Sequence, residues 1–221
     1  MLKLIIGNRA YSSWSMRGWL ACKQSQEQFE EYVVPLYDAE WDKRREGDEF
    51  APSLGKVPIL WDGDIVVWDS LAIIEFLSDR VGSARYWPED EGARAMACSM
   101  SAEMHSGFAN LRRELPMNVR KSFPPKKLSE PVRSEIDRVL QLWAQARARF
   151  GGTGNFLFGD WCAADIMYAP VVTRFITWGV PVPNFAGVYM KAVLSQPDVA
   201  EWIDKAQDEP WVIESVEAAA A

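Results

Sequence analysis

The first third of the chain alternates between short apolar runs and one amphipathic segment. Residues 2–7 (LKLIIG) are almost wholly apolar, which is typical of a buried strand. Residues 15–24 (SMRGWLACKQ) repeat their apolar positions with helical spacing, and residues 32–36 (YVVPL) are strand-like again. This β-α-β order predicts a parallel strand pair joined by a right-handed crossover.

A charged, irregular stretch at 38–56 separates that unit from a second one. Residues 57–68 (VPILWDGDIVVW) contain two apolar runs around an Asp-Gly pair, a pattern that predicts a β-hairpin. Residues 69–82 follow with helical periodicity, a capping residue in Asp69 or Ser70, and a closing glycine. The first 82 residues are therefore predicted to fold as β-α-β-loop-β-β-α.

The rest of the chain lacks good strand candidates and contains helical patterns. Helices are predicted at 93–115, 133–150 and 163–179, with shorter ones around 186–195 and 198–207. Pro170 is expected to kink or break the third of these helices. We thus expect an α/β domain over 1–82, a linker over 83–92 and an all-helical domain over 93–221.

Composition narrows the possible functions. The 221 residues are 48% hydrophobic and carry a net charge of −7, so nucleic acid is an unexpected partner. No membrane span and no signal peptide are predicted. Cys22, Cys98 and Cys162 form no C-x-x-C pair, which favours a reducing, cytoplasmic location. A single histidine, His105, excludes a multi-histidine metal site, and no metal cofactor is expected.

Four stretches together resemble the cytosolic glutathione S-transferases, with a first turn similar to the serine-type, zeta-like members. They are residues 12–17 (SSWSMR), 56–60 (KVPIL), 68–77 (WDSLAIIEFL) and 156–170 (FLFGDWCAADIMYAP). The resemblance implies a thioredoxin-like domain followed by a helical bundle, a homodimer, and glutathione as co-substrate in detoxification. Trp14 departs from the zeta-like motif, which has cysteine there, so zeta-type isomerisation is in doubt.

The resemblance also implies which residues bind glutathione: Ser13, Arg17, Lys56, Val57, Pro58, Asp69 and Ser70. In the family, the proline corresponding to Pro58 is cis, and the residue before it binds the cysteinyl part through its backbone. Ser70 matches the residue that holds the γ-glutamyl carboxylate, Asp69 the partner of the α-amine, and Lys56 a position near the glycyl end. Each has a plainer reading, because Asp and Ser are favoured helix caps and proline commonly opens a strand.

Activation of the glutathione thiol is assigned by the same resemblance to Ser12. A free thiol has a pKa of about 8.5, so little of it is thiolate at neutral pH. A hydroxyl that donates a hydrogen bond to the sulfur stabilises the thiolate and lowers that pKa. Tyr11 is the rival, because it falls at the tyrosine position of the tyrosine-type branch, and Ser13 and Ser15 remain weaker candidates.

The expected second substrate is a small hydrophobic electrophile. The stripe along 93–115 reads as core, but the corresponding helix borders the substrate pocket in the family, so Met104, Phe108 and Arg112 are predicted to face it. His105 is expected to be structural. Two alternatives stay open: a non-catalytic module that binds ligands or proteins, and a glutathione-dependent isomerase or peroxidase on the same scaffold.

Overall fold

A computed structural model describes residues 1–218 of the chain. A mixed four-stranded sheet consists of β1 (Leu2–Gly7), β2 (Phe29–Val34), β3 (Ile59–Asp62) and β4 (Ile65–Trp68). Its strand order is β2-β1-β3-β4. The predicted parallel pair is β1 with β2, whereas β3 runs antiparallel to both β1 and β4. The predicted hairpin is confirmed, with Gly63 in the left-handed region at φ 60°.

Three helices accompany the sheet in this part of the chain: α1 (Ser13–Ser25), α2 (Trp41–Arg45) and α3 (Ser70–Val81). The stretch expected to be irregular therefore contains α2 and a short 3-10 turn at Ala51–Ser53. They form because Trp41 and Phe50 pack with the buried strand residues Ile5 and Ile59. Strand β2 lies earlier than predicted and ends before Pro35, which has no N–H for the ladder.

The remaining described chain consists of helices and loops, and its β-structure is limited to two isolated bridges near Phe156–Asp160. Its helices are α4 (Glu91–Ser106), α5 (Ala109–Glu114), α6 (Glu130–Phe150), α7 (Ala163–Thr177), α8 (Asn184–Leu194), α9 (Pro197–Gln207) and α10 (Glu214–Glu217). Helix α7 is central, because it contacts α1, α4 and α8 and buries every residue except Ile176. The order of an α/β part followed by a helical part agrees with the prediction.

Two local expectations are corrected. The helix expected over 93–115 is interrupted, because Phe108 adopts a left-handed backbone (φ 59°) after Gly107 and so separates α4 from α5. The helix α7 continues through Pro170. Burial of α7 on all sides outweighs the cost of a proline in a helix interior, which is about 3 kcal/mol.

The site described below lies where the two parts of the chain meet. Tyr86 Oη donates a hydrogen bond to the carbonyl of Ala21, and Arg17 Nε donates to the carbonyl of Met167 at 2.9 Å. Both contacts join α1 to the helical part. Among residues 1–218, no helix is both long and apolar enough to cross a membrane.

Candidate functional site

A cavity of about 910 Å³ opens between the N-terminal ends of α1 and α3 and the helices α4, α5 and α7. Nine of the residues predicted from the sequence line it: Tyr11, Ser12, Ser13, Lys56, Val57, Pro58, Asp69, Ser70 and Arg112. They come from the ends of four different segments, and only the tertiary fold brings them together. The arrangement combines hydroxyls, free helix N-termini and one basic wall.

Ser12 is the N-cap of α1. Its Oγ accepts the backbone N–H of Ser15 at 3.2 Å and lies 2.8 Å from the Ser15 Oγ, a contact in which either hydroxyl is able to donate. Ser15 Oγ in turn accepts the backbone N–H of Gly7 at 2.9 Å, which ties the helix to the end of β1. When Ser15 is the donor, the Ser12 proton is left for a ligand in the cavity.

Ser13 has a different partner from Ser12. Its Oγ accepts a hydrogen bond of 3.0 Å from Arg174 Nη2, across 161 residues of sequence. A hydroxyl that accepts from a guanidinium still has its own proton to donate. Ser13 is therefore a second hydroxyl donor in the cavity wall, and its neighbour is a positive charge.

The Tyr11 hydroxyl is held by the C-terminal part of the chain. It donates to Glu217 Oε1 at 2.6 Å and accepts from Arg120 Nη2 at 2.6 Å. Burial, together with the hydrogen bond to Glu217, raises the pKa of Tyr11. The ring of Tyr11 lines the cavity, but its proton is already donated to a carboxylate.

The segment before β3 presents backbone to the cavity. The Val57–Pro58 peptide bond is cis, as the family resemblance implied. Gly18 of α1 lies directly beneath the proline ring: a Cβ built on Gly18 would be 2.7 Å from Pro58 Cγ. The absence of a side chain at Gly18 thus allows α1 to approach this segment, and Lys56 stands exposed at the cavity rim.

At the start of α3, one residue caps the helix and the next is left without a hydrogen-bond partner. Asp69 is the N-cap, and its Oδ1 accepts the backbone N–H groups of Leu71 at 2.9 Å and Ala72 at 3.4 Å. The Ser70 hydroxyl is fully buried and has no hydrogen-bond partner, although Ser70 lines the cavity. A buried, unpartnered hydroxyl at a helix N-terminus is suited to an anionic ligand group.

His105 and Trp14 line the cavity between these two helix starts. His105 Nε2 lies 3.2 Å from the second oxygen of Asp69, so the histidine links α4 to α3. The His105 ring also meets the Trp14 ring edge-on at 5.4 Å, and its Nδ1 is buried without a partner. No sequence pattern indicated that His105 would contact Asp69, the residue predicted to bind the α-amine.

Two arginines form a basic wall of the cavity, and a third lies behind it. Arg112 and Arg174 line the cavity, whereas Arg17 is buried behind Trp14 and is absent from the lining. Burial lowers the pKa of all three arginines, and it lowers that of Arg174 to about 9. The Nε of Arg17 is bound to a carbonyl of α7, and the predicted contact of Arg17 with glutathione stays a prediction.

Of the three residues predicted to face the second substrate, one lines the cavity and two do not. Arg112 lines the cavity, but Met104 and Phe108 pack in the main hydrophobic core and do not line it. The break after α4 turns Phe108 away from the helical stripe on which the prediction relied. Cavity residues that the sequence did not single out for this role include Tyr37, Trp41, Trp68, Pro116, Met117, Arg174, Ile213 and Val216.

Within residues 1–218, no group of three or more histidine, cysteine, aspartate or glutamate side chains is placed to hold a metal ion. The three cysteines are free thiols, and burial raises the pKa of Cys22 and of Cys162. Thiol chemistry by the chain itself is therefore disfavoured at these two buried positions.

Comparison with known proteins agrees with this geometry. Residues 11–80 match the family model of the glutathione S-transferase N-terminal domain. The glutathione S-transferase GstB of Escherichia coli K12 is 24% identical over 143 residues, which cover 62% of this chain and 68% of GstB. Over residues 11–80 the chain is thus similar to the N-terminal domain of glutathione S-transferases. A shorter match, 36% identical over 59 residues, is to the dichloromethane dehalogenase of Methylorubrum extorquens and covers 27% of this chain and 20% of that one.

Solved structures extend the likeness to the whole fold. A glutathione transferase homolog from Burkholderia strain BGR1, with bound glutathione, has a TM-score of 0.71 at 23% identity and covers 94% of this chain and 99% of its own. A theta class enzyme from Xanthomonas axonopodis pv. citri, also with glutathione bound, has a TM-score of 0.63 at 18% identity, covering 91% and 96%. These likenesses confirm the predicted fold of a thioredoxin-like domain and a helical domain.

Proposed function

We propose that this chain is an active glutathione transferase, which binds glutathione in the cavity and directs its thiolate at a small electrophile. One observation carries the proposal: a single cavity is lined by Ser12 at the start of α1, Val57 before cis-Pro58, and Ser70 at the start of α3. Ser12 supplies a hydroxyl that donates a hydrogen bond to the thiolate. Val57 supplies a backbone N–H and C=O for the peptide, and Ser70 supplies a site for an anion. No one of them alone would distinguish an enzyme from a scaffold.

The peptide is expected to lie along the thioredoxin-like side of the cavity. Its γ-glutamyl carboxylate would meet the unpartnered Ser70 hydroxyl and the N-terminus of α3, where N–H groups and the helix dipole favour an anion. The α-amine would share the Asp69 oxygen that faces His105. The cysteinyl backbone would pair with Val57, and the glycyl end would approach Lys56.

A serine at the Ser12 position is strong enough to activate the thiol. A hydrogen bond to a charged acceptor contributes about 1.5–3 kcal/mol, and a helix N-terminus adds about 0.3–1 kcal/mol. One pKa unit corresponds to about 1.36 kcal/mol, so the pKa of the thiol is expected to fall by about 1–3 units. From about 8.5, that shift makes thiolate a major form near neutral pH.

Ser12 is preferred over Tyr11 because of their partners. The Tyr11 proton is donated to Glu217, and a thiolate would have to displace that carboxylate. The Ser12 Oγ lies 2.8 Å from the neutral Ser15 hydroxyl, so a thiolate would compete for the Ser12 proton with a hydroxyl rather than with a carboxylate. Ser13 is the closer competitor, since its hydroxyl accepts from a guanidinium and has its own proton to donate.

Titration of the thiolate ultraviolet absorbance, in the complex with glutathione, tests the assignment. Ser12→Ala should raise the pKa of the bound thiol by about 1–2 units, because the bond to the charged form is lost. Tyr11→Phe and Ser13→Ala serve as matched hydroxyl deletions and should move it less. A shift confined to Tyr11→Phe would refute the serine assignment, and an unshifted wild-type thiol with glutathione bound would favour the non-catalytic alternative.

The homodimer, the cytoplasmic location and the hydrophobic character of the electrophile rest on the family resemblance. Analytical ultracentrifugation of the purified chain measures the oligomeric state directly. A monomer at micromolar concentration would remove the dimer from the proposal without affecting the assignment of the cavity residues.

A further inference from the structure

The basic wall of the cavity is a cluster of like charges. The guanidinium carbons of Arg17 and Arg112 lie over the same Trp14 ring, 4.8 and 4.6 Å from its centroid. After burial, the Arg112 charge is the largest cause that lowers the pKa of both Arg17 and Arg174. The three side chains therefore repel one another within one buried region.

No acidic side chain compensates this cluster at close range. The hydrogen-bond acceptors of the three arginines are all neutral, being the carbonyl oxygens of Met104, Gly107, Leu115 and Met167 and the hydroxyl of Ser13. Over residues 1–218, none of the three arginines has a carboxylate within ion-pair distance. One buried nitrogen, Arg17 Nη1, has no partner at all.

The two acids that act on the cluster from further away are engaged elsewhere. Asp69 raises the pKa of Arg17 but is bound to the start of α3 and to His105. Glu135 raises the pKa of Arg112 but accepts hydrogen bonds from the start of α5. Buried charges are ordinarily paired, because an unpaired one is costly to desolvate. A cavity wall with unpaired cations is therefore suited to an anionic ligand.

We propose that the second substrate carries a carboxylate, which Arg112 and Arg174 bind in the cavity beside Ser13. The inference rests on the proposed function, and it names the substrate class for the same site. Both arginines belong to the helical part of the chain, from α5 and α7, opposite the helix start and strand assigned to the peptide. The carboxylate is thus distinct from the two that glutathione itself carries.

The position of the two arginines explains why a carboxylate fits. Arg174 Nη2 is 3.0 Å from Ser13 Oγ, and Ser13 is the residue after the proposed thiolate donor. An acid group bound to this guanidinium would lie close to the sulfur. Arginine binds carboxylates through paired, charge-assisted hydrogen bonds, so the same contact would orient the electrophile toward the thiolate.

Two glutathione conjugates test the proposal without requiring turnover. One is glutathione S-linked to a 4-carboxy-2,6-dinitrophenyl group, and the other is the methyl ester of that aryl acid. Calorimetry compares their affinities in the wild type, in Arg112→Gln and in the control Arg113→Gln. Arg113 is the next residue of α5, is exposed, does not line the cavity and has the same charge, so its removal matches the change in net charge.

The carboxylate conjugate should bind the wild type about tenfold to a hundredfold more tightly than the ester, the range of one charge-assisted hydrogen bond. That preference should fall by at least tenfold in Arg112→Gln and persist in Arg113→Gln. Equal wild-type affinities, or an unchanged preference in Arg112→Gln, would overturn the inference. The conjugates carry no thiolate. If the arginines served only to activate the thiol, their removal would therefore leave the preference for the carboxylate conjugate over the ester unchanged.

Glutathione alone separates this inference from the proposed function. It should bind the wild type and Arg112→Gln with similar affinity, because its own carboxylates are assigned to other residues. Loss of glutathione affinity in Arg112→Gln, equal to the loss for the carboxylate conjugate, would show that the arginine serves the peptide and would refute a separate carboxylate site. Failure of glutathione to bind the wild type would instead refute the proposed function.

Discussion

Replacement of Ser70 by alanine should change glutathione affinity without lowering the stability of the fold. Asp69 already caps α3, and the Ser70 Oγ is fully buried with no partner. Ser70→Ala therefore removes a group that contributes no hydrogen bond to the unliganded protein. It also replaces serine by alanine within a helix, where alanine has the higher propensity. The unliganded stability should stay constant or rise by up to about 1 kcal/mol.

Binding of glutathione should respond in the opposite direction. Loss of one charge-assisted hydrogen bond to the γ-glutamyl carboxylate costs about 1.5–3 kcal/mol, which raises the dissociation constant by roughly 10- to 150-fold. Calorimetry measures the affinity, and urea unfolding measures the stability of the same samples. The N–H groups of α3 remain in the variant, so residual binding is expected.

Ser78→Ala provides the matched control. Ser78 lies in the same helix, is also buried, and does not line the cavity. Its replacement should leave glutathione affinity unchanged. The reasoning is refuted when Ser70→Ala and wild type bind glutathione equally, or when Ser70→Ala loses about 1 kcal/mol of stability, the typical cost of a lost helix cap.

Gly18→Ala should destabilise the protein by about 1–3 kcal/mol, because the new Cβ would be 2.7 Å from Pro58 Cγ and alanine's helix propensity does not compensate the overlap; a higher urea midpoint would contradict this. The pKa of Glu217 lies below its ordinary 4.5: burial raises it, but the hydrogen bond from Lys121 and other polar contacts lower it by more. Its contribution is thus present above about pH 4.5 and lost as pH falls through the folded pKa. Hydrogen exchange of α10, corrected for intrinsic pH effects, should therefore rise on acidification in the wild type and lose this dependence in Glu217→Gln.

Local rules account for most of the elements around the site. The Asp-Gly pair specified the turn between β3 and β4, because glycine adopts positive φ without steric cost. The cap at Asp69 and the glycine at 82 bounded α3 within a residue of its observed ends. These features depend on neighbours in sequence, so a pattern of residue types is sufficient to predict them.

Met104 and Phe108 were predicted to line the pocket, but they pack in the core instead. A helical stripe containing Met104 and Phe108 indicates a buried face, but it does not distinguish a core from a cavity wall. Arg174 carried a usable signal, since it is the only charged residue between Asp165 and Gly179 in an otherwise apolar helical stretch. A charge in a buried helix requires partners, and the partners here are the carbonyl of Leu115 and the hydroxyl of Ser13.

The sequence by itself determined the order of elements, the family resemblance and several of the residues that the thioredoxin-like part brings to the cavity. Only the tertiary structure decided which hydroxyl is held by a charged partner: Tyr11 donates to Glu217, 206 residues away, whereas Ser12 bonds to the neutral Ser15 within its own helix start. The basic wall was likewise decided by packing between the two parts of the chain. Contacts between residues so distant in sequence follow from how buried surfaces fit together, and periodicity along the chain does not encode that fit.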